Sequence, residues 1–246
     1  MQIVDAYAHC GLSKYEPLER VQQVMAAAGV QRAVLAQHLG EFDNTYIARA
    51  VENDPEHLAG VCMVDHQSDD AVAKMQQWAA TGHFKGVRLT TRMCIEAPGV
   101  LHGAVNLEMI IVLYAIDGMD GQVGWLLRFL DAHPGAKMVV THLGLSDRGI
   151  RPSPDLFDLA DHPGVHLQVS GMKMVSPYPH ESLYGLIEQG VERFGPQRLL
   201  WGSNYPVVGD GNDYIADLEL LLGGKLPIPP EAVAAVAGGN AGRLWF

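Results

Sequence analysis

Short apolar runs alternate with amphipathic stretches along nearly the whole chain. The runs are rich in Val, Ile and Leu, and the stretches between them carry apolar residues at a helical spacing, which is typical of strands that alternate with helices. The apolar runs predict eight β-strands, which begin at Ile3 and then cover 32–36, 58–64, 84–89, 109–116, 137–141, 165–169 and 198–202.

The intervening stretches predict helices over 16–28, 44–53, 68–80, 121–132, 153–161, 180–194, 213–222 and 230–237. Asn44 and Ser68 are the expected side-chain caps of two of them, and Pro154 the expected first-turn proline of another. The pair at 238–239 is expected to end the last helix, and a final turn follows from Asn240. Residues 92–108 lack a clean helical period, so they predict a loop or a short helix, long enough to serve as a lid.

The regular alternation predicts a single domain over 1–246 with the (β/α)8 TIM-barrel fold. A doubly wound open sheet is the alternative architecture. That fold usually carries a Gly-x-Gly-x-x-Gly turn after its first strand, and this sequence has none.

The composition and net charge of the chain limit the classes of function and partner that it can have. The chain has 246 residues, 48% of them hydrophobic, and a net charge of −11 with 17 basic residues, which argues against nucleic acid and anionic membranes as partners. A small anionic substrate remains open, because a few local arginines can bind one. Three cysteines without CxxC spacing, no signal peptide and no membrane-length apolar run predict a soluble, cytoplasmic protein.

Polar residues follow nearly every predicted strand, which is where a barrel carries its active site. They are His9, His38, Asp65, His66, Arg88, Asp117, His142, Ser170, Lys173 and Asn204. In the first strand, simple alternation predicts that Asp5, Tyr7 and His9 share one face. Cys10 would then point to the other face as a buried thiol rather than a nucleophile.

Each of these residues also has an ordinary structural interpretation. Arg88 is suited to grip a carboxylate, but it could instead form an ion pair with Asp5 or Asp65. A histidine at a strand end is often only hydrogen-bonded, and a lysine after a strand, such as Lys173, is often simply solvated.

Five segments carry a family resemblance. They read Asp-Ala-Tyr-Ala-His at 5–9, Gly-Val-Arg at 86–88, Val-Val-Thr-His-Leu-Gly at 139–144, Phe-Gly-Pro-Gln-Arg-Leu-Leu-Trp-Gly-Ser-Asn-Tyr-Pro at 194–206 and Gly-Asn-Ala-Gly-Arg-Leu-Trp at 239–245. In this order they resemble the amidohydrolase superfamily, and within it the amidohydrolase-2 branch of TIM-barrel hydrolases. The overall pattern is similar to the metal-independent lactonase group that includes 2-pyrone-4,6-dicarboxylate lactonase.

The departures from the family pattern concern metal binding. The usual His-x-His opening is here Tyr7 and His9, the strand-five histidine is replaced near Tyr114, and the strand-eight aspartate is Asn204. A zinc site needs about three protein ligands, and only His9 and His142 remain as obvious ones. The expectation is therefore no metal cofactor, with a divalent metal such as zinc as the less favoured alternative.

The resemblance implies a hydrolase of the lactonase type that acts on a small, carboxylated cyclic ester. The implied catalytic residues are His142, His9, Asn204, His38 and Tyr7, and the implied substrate-binding residues are Arg88, Lys173 and Tyr114. His142 or His38 would activate water, since an asparagine amide cannot act as a general base. Two alternatives stay open: a decarboxylase of an unsaturated or aromatic acid, and a degenerate barrel kept for binding. The expected partner is a small anionic molecule, and a homodimer is an expected assembly.

Overall fold

Eight parallel strands form one sheet whose order follows the chain. The structure, a computed structural model, describes residues 1–145, 153 and 155–246. The strands pair in sequence order from β1 to β8. They are β1 Val4–Ala8, β2 Arg32–Ala36, β3 Leu58–Cys62, β4 Phe84–Thr90, β5 Ile110–Tyr114, β6 Met138–Val140, β7 Val165–Val169 and β8 Leu199–Trp201.

Helices surround the strands and confirm the predicted TIM barrel. They are α1 Leu18–Ala27, α2 Thr45–Asn53, α3 Ala71–Ala80, α4 Thr91–Glu96, α5 Pro98–Asn106, α6 Val123–Ala132, α7 Tyr184–Phe194, α8 Gly211–Leu222 and α9 Asn240–Trp245. Between β6 and β7 the structure describes a 3-10 helix, Leu156–Asp161, where the sequence predicted a short helix. Pro154, the predicted first-turn residue, lies outside the described residues.

Backbone and side-chain hydrogen bonds close the barrel between β1 and β8. The amide of Asn204 donates to the Tyr7 carbonyl at 2.8 Å, and the amide of His9 donates to the Tyr205 carbonyl at 2.8 Å. The side chain of Gln168 on β7 donates to the Ala6 carbonyl at 3.0 Å. These bonds bring the first and last strands together at the end of the barrel where Tyr7, His9 and Asn204 lie.

Alternation along the strands divides the apolar residues into two cores. The larger core fills the space between the barrel and its helices, whereas the smaller core fills the barrel itself. The inner core consists of Val4, Ala6, Tyr7, Val34, Ala36, Ala59, Val61, Ile110, Val112, Val139, Leu200, Ala241 and Trp245. Because Ala241 and Trp245 belong to α9, this helix closes the amino-terminal end of the barrel and leaves the other end for the site.

The predicted common face of Asp5, Tyr7 and His9 is wrong for Asp5. The pairing of β1 with β2 shifts register between Asp5 and Ala8, so that the consecutive residues Ala6 and Tyr7 both pack in the inner core. Such a bulge reverses the facing of the residues beyond it. The Asp5 carboxylate therefore accepts hydrogen bonds from Ser203, through its amide at 2.8 Å and its hydroxyl at 2.6 Å.

The predicted end of the last helix at 238–239 is also wrong. A π-helical turn, Ala235–Gly239, runs directly into α9, which continues to Trp245. Gly238 serves close packing instead, because a Cβ there would lie 2.9 Å from the Val4 amide. The glycine lets the helix lie against the backbone of β1.

Two predicted helix caps are replaced by other contacts. The Asn44 side chain makes no capping bond and instead holds the backbone of Met63, donating to its carbonyl at 2.9 Å and accepting from its amide at 3.0 Å. Asp70, not Ser68, precedes α3, and the Ser68 hydroxyl donates to the Asp70 carboxylate at 2.5 Å. The two short polar side chains therefore bond a backbone segment distant in sequence, in the case of Asn44, and a nearby turn residue, in the case of Ser68, instead of capping a helix.

Residues 92–108 lie in two helices, α4 and α5, rather than in an irregular loop. Helix α5 packs on α3, since a Cβ at Gly103 would lie 2.8 Å from the Met75 methyl group. It belongs to the outer layer, so α4 is the part of the stretch near the barrel mouth.

In the ranges given above, no helix has the length and apolar character needed to cross a membrane.

All three cysteines are free and buried. Burial raises the pKa of the Cys10 thiol to about 12, which favours the predicted core residue over a nucleophile.

The junction of β1 and β8, which forms the seam of the barrel, predicts that replacing Gly202 strongly lowers the stability of the protein. In Gly202→Ala the new Cβ would lie 2.9 Å from the Tyr7 Cβ and 3.0 Å from the Tyr7 amide. We expect a loss of roughly 1–3 kcal/mol in the free energy of unfolding, measured by urea denaturation.

Gly185→Ala on α7 is the matched control, because a Cβ there meets nothing within 4 Å. It should leave stability unchanged or raise it by up to about 1 kcal/mol. Equal stability of the two variants would show that the seam tolerates an added methyl group.

Candidate active site

Six of the predicted site residues meet at the carboxyl-terminal end of the barrel. β1 ends near Tyr7 and His9, β4 carries Arg88, β5 ends at Tyr114, and His142 and Asn204 follow β6 and β8. All six are buried. The Tyr7 ring contacts both histidine rings edge-on, with centroid distances of 4.9 Å to His9 and 5.2 Å to His142.

A chain of hydrogen bonds fixes the tautomer of His142. The side-chain nitrogen of Gln168 donates to the Ala6 carbonyl on β1, so the side-chain oxygen of Gln168 faces the other way. This oxygen lies 3.1 Å from the Ser170 hydroxyl and accepts its proton. The Ser170 oxygen then accepts from His142 Nδ1 at 2.8 Å, since its only proton is already used. His142 therefore carries its proton on Nδ1, and no described residue bonds its Nε2.

His142 is held neutral. Burial, followed by the positive charge of Arg88, lowers the pKa of His142 to about 3. A neutral imidazole with a free Nε2 lone pair can accept a proton from water. Its low pKa makes it a weak base until that charge is offset.

His9 is engaged at both ring nitrogens. Its Nδ1 donates to the Ala36 carbonyl at 2.6 Å, and its Nε2, the acceptor of the neutral ring, lies 3.2 Å from the side-chain amide of Asn204 and accepts from that amide when its nitrogen faces the ring. Burial and the charge of Arg88 hold the pKa of His9 well below its usual range. Compared with His142, His9 is the less available base.

Arg88 is a buried cation that forms no ion pair with a carboxylate of the described residues. One terminal nitrogen donates to the Gln37 carbonyl at 2.9 Å, while Nε is buried and bonds none of the described residues. The guanidinium lies over the rings of Tyr7 and Tyr114, 5.6 Å and 5.2 Å from their centroids. Within the described ranges no ion pair joins Arg88 to an acidic residue, so the ion pair considered from the sequence is not formed.

Tyr7 supplies a second unused donor. Its hydroxyl is buried, and its proton is donated to none of the described residues. Burial raises the pKa of Tyr7 to about 12, although Arg88 opposes the change, so the phenol stays protonated at neutral pH. The hydroxyl is therefore suited to donate to a substrate oxygen.

Two of these side chains are oriented by a left-handed backbone conformation. His142 has φ 55° and Asn204 has φ 57°. Residues other than glycine rarely adopt this region, and such conformations cluster at functional sites. Asparagine tolerates it better than histidine does.

A groove of about 460 Å³ opens beside the buried group. Thr90, two residues beyond Arg88 on the same face of β4, lines it. Helix α4 forms one wall through Arg92, Met93 and Glu96. His66 and Asp117, both predicted strand-end residues, also line this groove, His66 3.3 Å from Glu96 and Asp117 3.1 Å from Arg92.

The structure does not bring His38 and Lys173 into contact with the group. The His38 ring touches the Tyr15 ring at a centroid distance of 5.3 Å, and Tyr15 in turn stacks on His9 at 4.9 Å. Lys173 forms an ion pair with Asp213 at 2.5 Å and is partly exposed. Their predicted roles gain no geometric support.

Sequence reasoning missed two residues of the site. Tyr15 covers His9 from the loop after β1, and nothing in the sequence distinguishes it from an ordinary loop tyrosine. Gln168 leaves a signal, since it is a polar residue inside an apolar strand and therefore needs a buried partner.

The described residues do not fit the metal site of the wider family pattern. Over the described ranges, no three His, Cys, Asp or Glu side chains are placed to hold a metal ion. Tyr7 is protonated, and the nearby guanidinium of Arg88 repels a cation. His9 and His142 alone fall short of the usual ligand number.

Comparisons with known proteins identify a family model and a relative that match this chain. The amidohydrolase family model matches residues 3–246. L-fucono-1,5-lactonase from Burkholderia ambifaria is 30% identical, over 99% of this chain and 88% of that protein.

Two solved structures share the fold. A candidate 2-pyrone-4,6-dicarboxylic acid hydrolase from Pseudomonas putida has a TM-score of 0.79 at 22% identity, covering 99% of this chain and 97% of the other. The 5-carboxyvanillate decarboxylase of Sphingomonas paucimobilis has a TM-score of 0.69 at 13% identity, covering 99% and 98%. The match to the family model and the identity to the lactonase, each over nearly the whole chain, show that the protein belongs to the amidohydrolase family.

Proposed function

We propose that this protein is a metal-independent lactonase that hydrolyses a small cyclic ester bearing a carboxylate. The observation that carries the proposal is a buried guanidinium, Arg88, that forms no ion pair with any described acidic residue and lies in the same mouth as a neutral His142 whose Nε2 bonds no described residue. A buried charge is costly unless it is paired. A substrate carboxylate would supply that pairing.

The arrangement supports hydrolysis by general base catalysis. His142 Nε2 takes a proton from water as the water oxygen attacks the lactone carbonyl carbon. The Tyr7 hydroxyl donates to the oxyanion that forms. When the ring C–O bond breaks, the leaving alkoxide takes the proton back from His142, which returns to its neutral form.

Substrate binding would strengthen the base. Arg88 is the second cause, after burial, of the lowered pKa of His142. A carboxylate bound to Arg88 offsets this positive charge, so the pKa of His142 rises in the complex. The same contact would thus hold the substrate and favour proton transfer.

The lactonase relative supports the type of reaction, since the sugar lactone in its name is a cyclic ester. A decarboxylase is the second candidate, because a decarboxylase shares the fold. Arg88 would hold a carboxylate in either reaction. The Nε2 lone pair of His142, which bonds no described residue, favours hydrolysis, because hydrolysis needs an acceptor for the proton of water.

Arg88→Gln should separate carboxylated from uncharged substrates. We expect kcat/KM for a carboxylated lactone to fall roughly 10²- to 10³-fold, because a buried charge pair is lost. Turnover of an uncharged lactone of equal ring size should change far less. A panel of such lactone pairs, assayed by acid release, measures this.

Arg128→Gln is the control, since Arg128 is exposed on α6 and does not line the groove. Equal losses on charged and uncharged lactones in Arg88→Gln would contradict a role in carboxylate binding. Release of carbon dioxide without a ring-opened acid would favour the decarboxylase.

The pH profile should identify the base. His142 acts as a base only when it is neutral, and its lowered pKa keeps it neutral as the pH falls below 6.5. We therefore expect kcat/KM to show no acid limb between pH 5.5 and 8, a range that brackets the ordinary pKa of histidine. The acid limb of kcat, which reports the substrate complex, should lie at higher pH than that of kcat/KM.

His142→Asn should lower kcat by about 10²- to 10⁴-fold. His38→Asn should leave kcat nearly unchanged, since His38 reaches the site only through Tyr15. The reverse pattern, or an acid limb of kcat/KM near 6.5, would assign the base to a more exposed histidine.

Metal dependence gives an independent test. Protein dialysed against a strong chelator should keep its full kcat, because no step needs a Lewis acid. Elemental mass spectrometry of the purified protein should find well under one equivalent of zinc or manganese. Loss of activity on dialysis, restored by either metal, would refute metal independence.

A further inference from the structure

A buried amide in the wall of the barrel sets the direction of the hydrogen bonds that reach His142. Gln168 on β7 is fully buried. Its side chain passes Gly202, where a Cβ would lie 3.2 Å from the amide nitrogen, and donates to the Ala6 carbonyl on β1 at 3.0 Å. A backbone carbonyl can only accept a hydrogen bond, so the position of Ala6 decides which way the amide of Gln168 faces.

The hydroxyl of Ser170, just beyond β7, has every hydrogen-bonding position in use. It lies 3.1 Å from the side-chain oxygen of Gln168, to which it gives its proton. Its oxygen accepts from the backbone amide of His142 at 3.2 Å and from His142 Nδ1 at 2.8 Å. A hydroxyl has one proton and two lone pairs. The direction of these bonds therefore cannot reverse while Gln168 is in place.

Close packing keeps the imidazole of His142 against this hydroxyl. Gly171, the next residue after Ser170, has φ 61°, and a Cβ there would lie 2.7 Å from His142 Nδ1. Glycine is suited both to the left-handed conformation and to the close approach of the ring. Nδ1 is therefore held on Ser170, and Nε2 lies at the other edge of the ring.

We propose that Gln168 and Ser170 are positioning residues for the hydrolysis, which keep the proton of His142 on Nδ1 and leave the Nε2 lone pair to the reacting water. The inference rests on the proposed function, since it concerns the base of that reaction. Both residues act through His142, not through contact with the substrate. In the other tautomer Nε2 would carry the proton and could not accept one from water.

Two substitutions of similar size isolate the acceptor oxygen of Gln168. Gln168→Met removes it, so the Ser170 proton is released and can turn towards His142 Nδ1. Gln168→Glu keeps an oxygen that accepts from Ser170. Both variants lose the amide nitrogen that bonds Ala6, so they share the loss of that contact.

We expect Gln168→Met to lower kcat about 10- to 10³-fold, because a catalytic histidine in the wrong tautomer loses up to about 10⁴-fold. KM for a carboxylated lactone should change by less than about threefold, since Arg88 is untouched. Gln168→Glu should keep a kcat much closer to that of the wild type.

The position of the proton is measured directly by long-range ¹H–¹⁵N spectra of protein labelled at histidine, recorded near neutral pH. The chain has 11 histidines, and His142→Asn assigns the ring signals of interest. We expect the proton on Nδ1 in the wild type and in Gln168→Glu, and a measurable share on Nε2 in Gln168→Met. This spectrum reads the tautomer without regard to the charge that glutamate adds.

Ser170→Ala provides a second variant in case Gln168→Met folds poorly, as judged by circular dichroism. It removes the acceptor from His142 Nδ1, so it should also release the tautomer and lower kcat with little change in KM. A lower melting temperature with an unchanged tautomer would instead indicate a purely structural role and overturn the proposal.

Two further results would overturn it: a wild-type His142 protonated on Nε2, or an undiminished kcat in folded Gln168→Met and Ser170→Ala. Absence of lactone turnover by the wild type would refute the proposed function, whereas the spectrum decides separately whether Gln168 and Ser170 fix the tautomer.

Discussion

The junction between β1 and β8 is the constraint on which the rest of the structure depends. A barrel closes only if its first and last strands meet, and here the Asp5 carboxylate holds Ser203 through two hydrogen bonds. Burial raises the pKa of Asp5 to about 6, and the bonds from Ser203 oppose that rise. Gly202 lets the two backbones approach. The result is that Tyr7 and His9 share one mouth with Asn204, which lies 195 residues beyond His9 in the sequence.

The positive charge of Arg88, which no described acidic residue pairs, dominates the electrostatics of that mouth. Arg88 keeps His9 and His142 neutral by repulsion, after burial has already disfavoured their charged forms. It also lowers the tendency of the site to accept a cation. In a low-dielectric site such effects are stronger than in water. The protonation states, the poor fit for a metal and the expected preference for an anionic ligand therefore share one cause.

Much of this was predictable from the chain. The eight strands and their order follow from apolar runs, because a parallel barrel strand buries both faces and must be apolar almost throughout. Arg88, His142 and Asn204 followed from motif positions at strand ends. The facing of Asp5 did not, since a bulge is decided by how β1 pairs with β2. The contacts of Asn44 and Lys173 likewise depended on neighbours distant in sequence.

The sequence by itself therefore determined the architecture, the family and most of the side chains at the mouth, because these depend on local apolar periodicity and on short motifs. Only the tertiary structure decided which of these side chains could act. The tautomer of His142 is fixed by Gln168 on β7 and by Ser170 just beyond it, 26 and 28 residues away along the chain. That Arg88 forms no ion pair with a described acidic residue is likewise a property of the assembled barrel. Hydrogen-bond partners and burial are set by distances in space, which residue order does not contain.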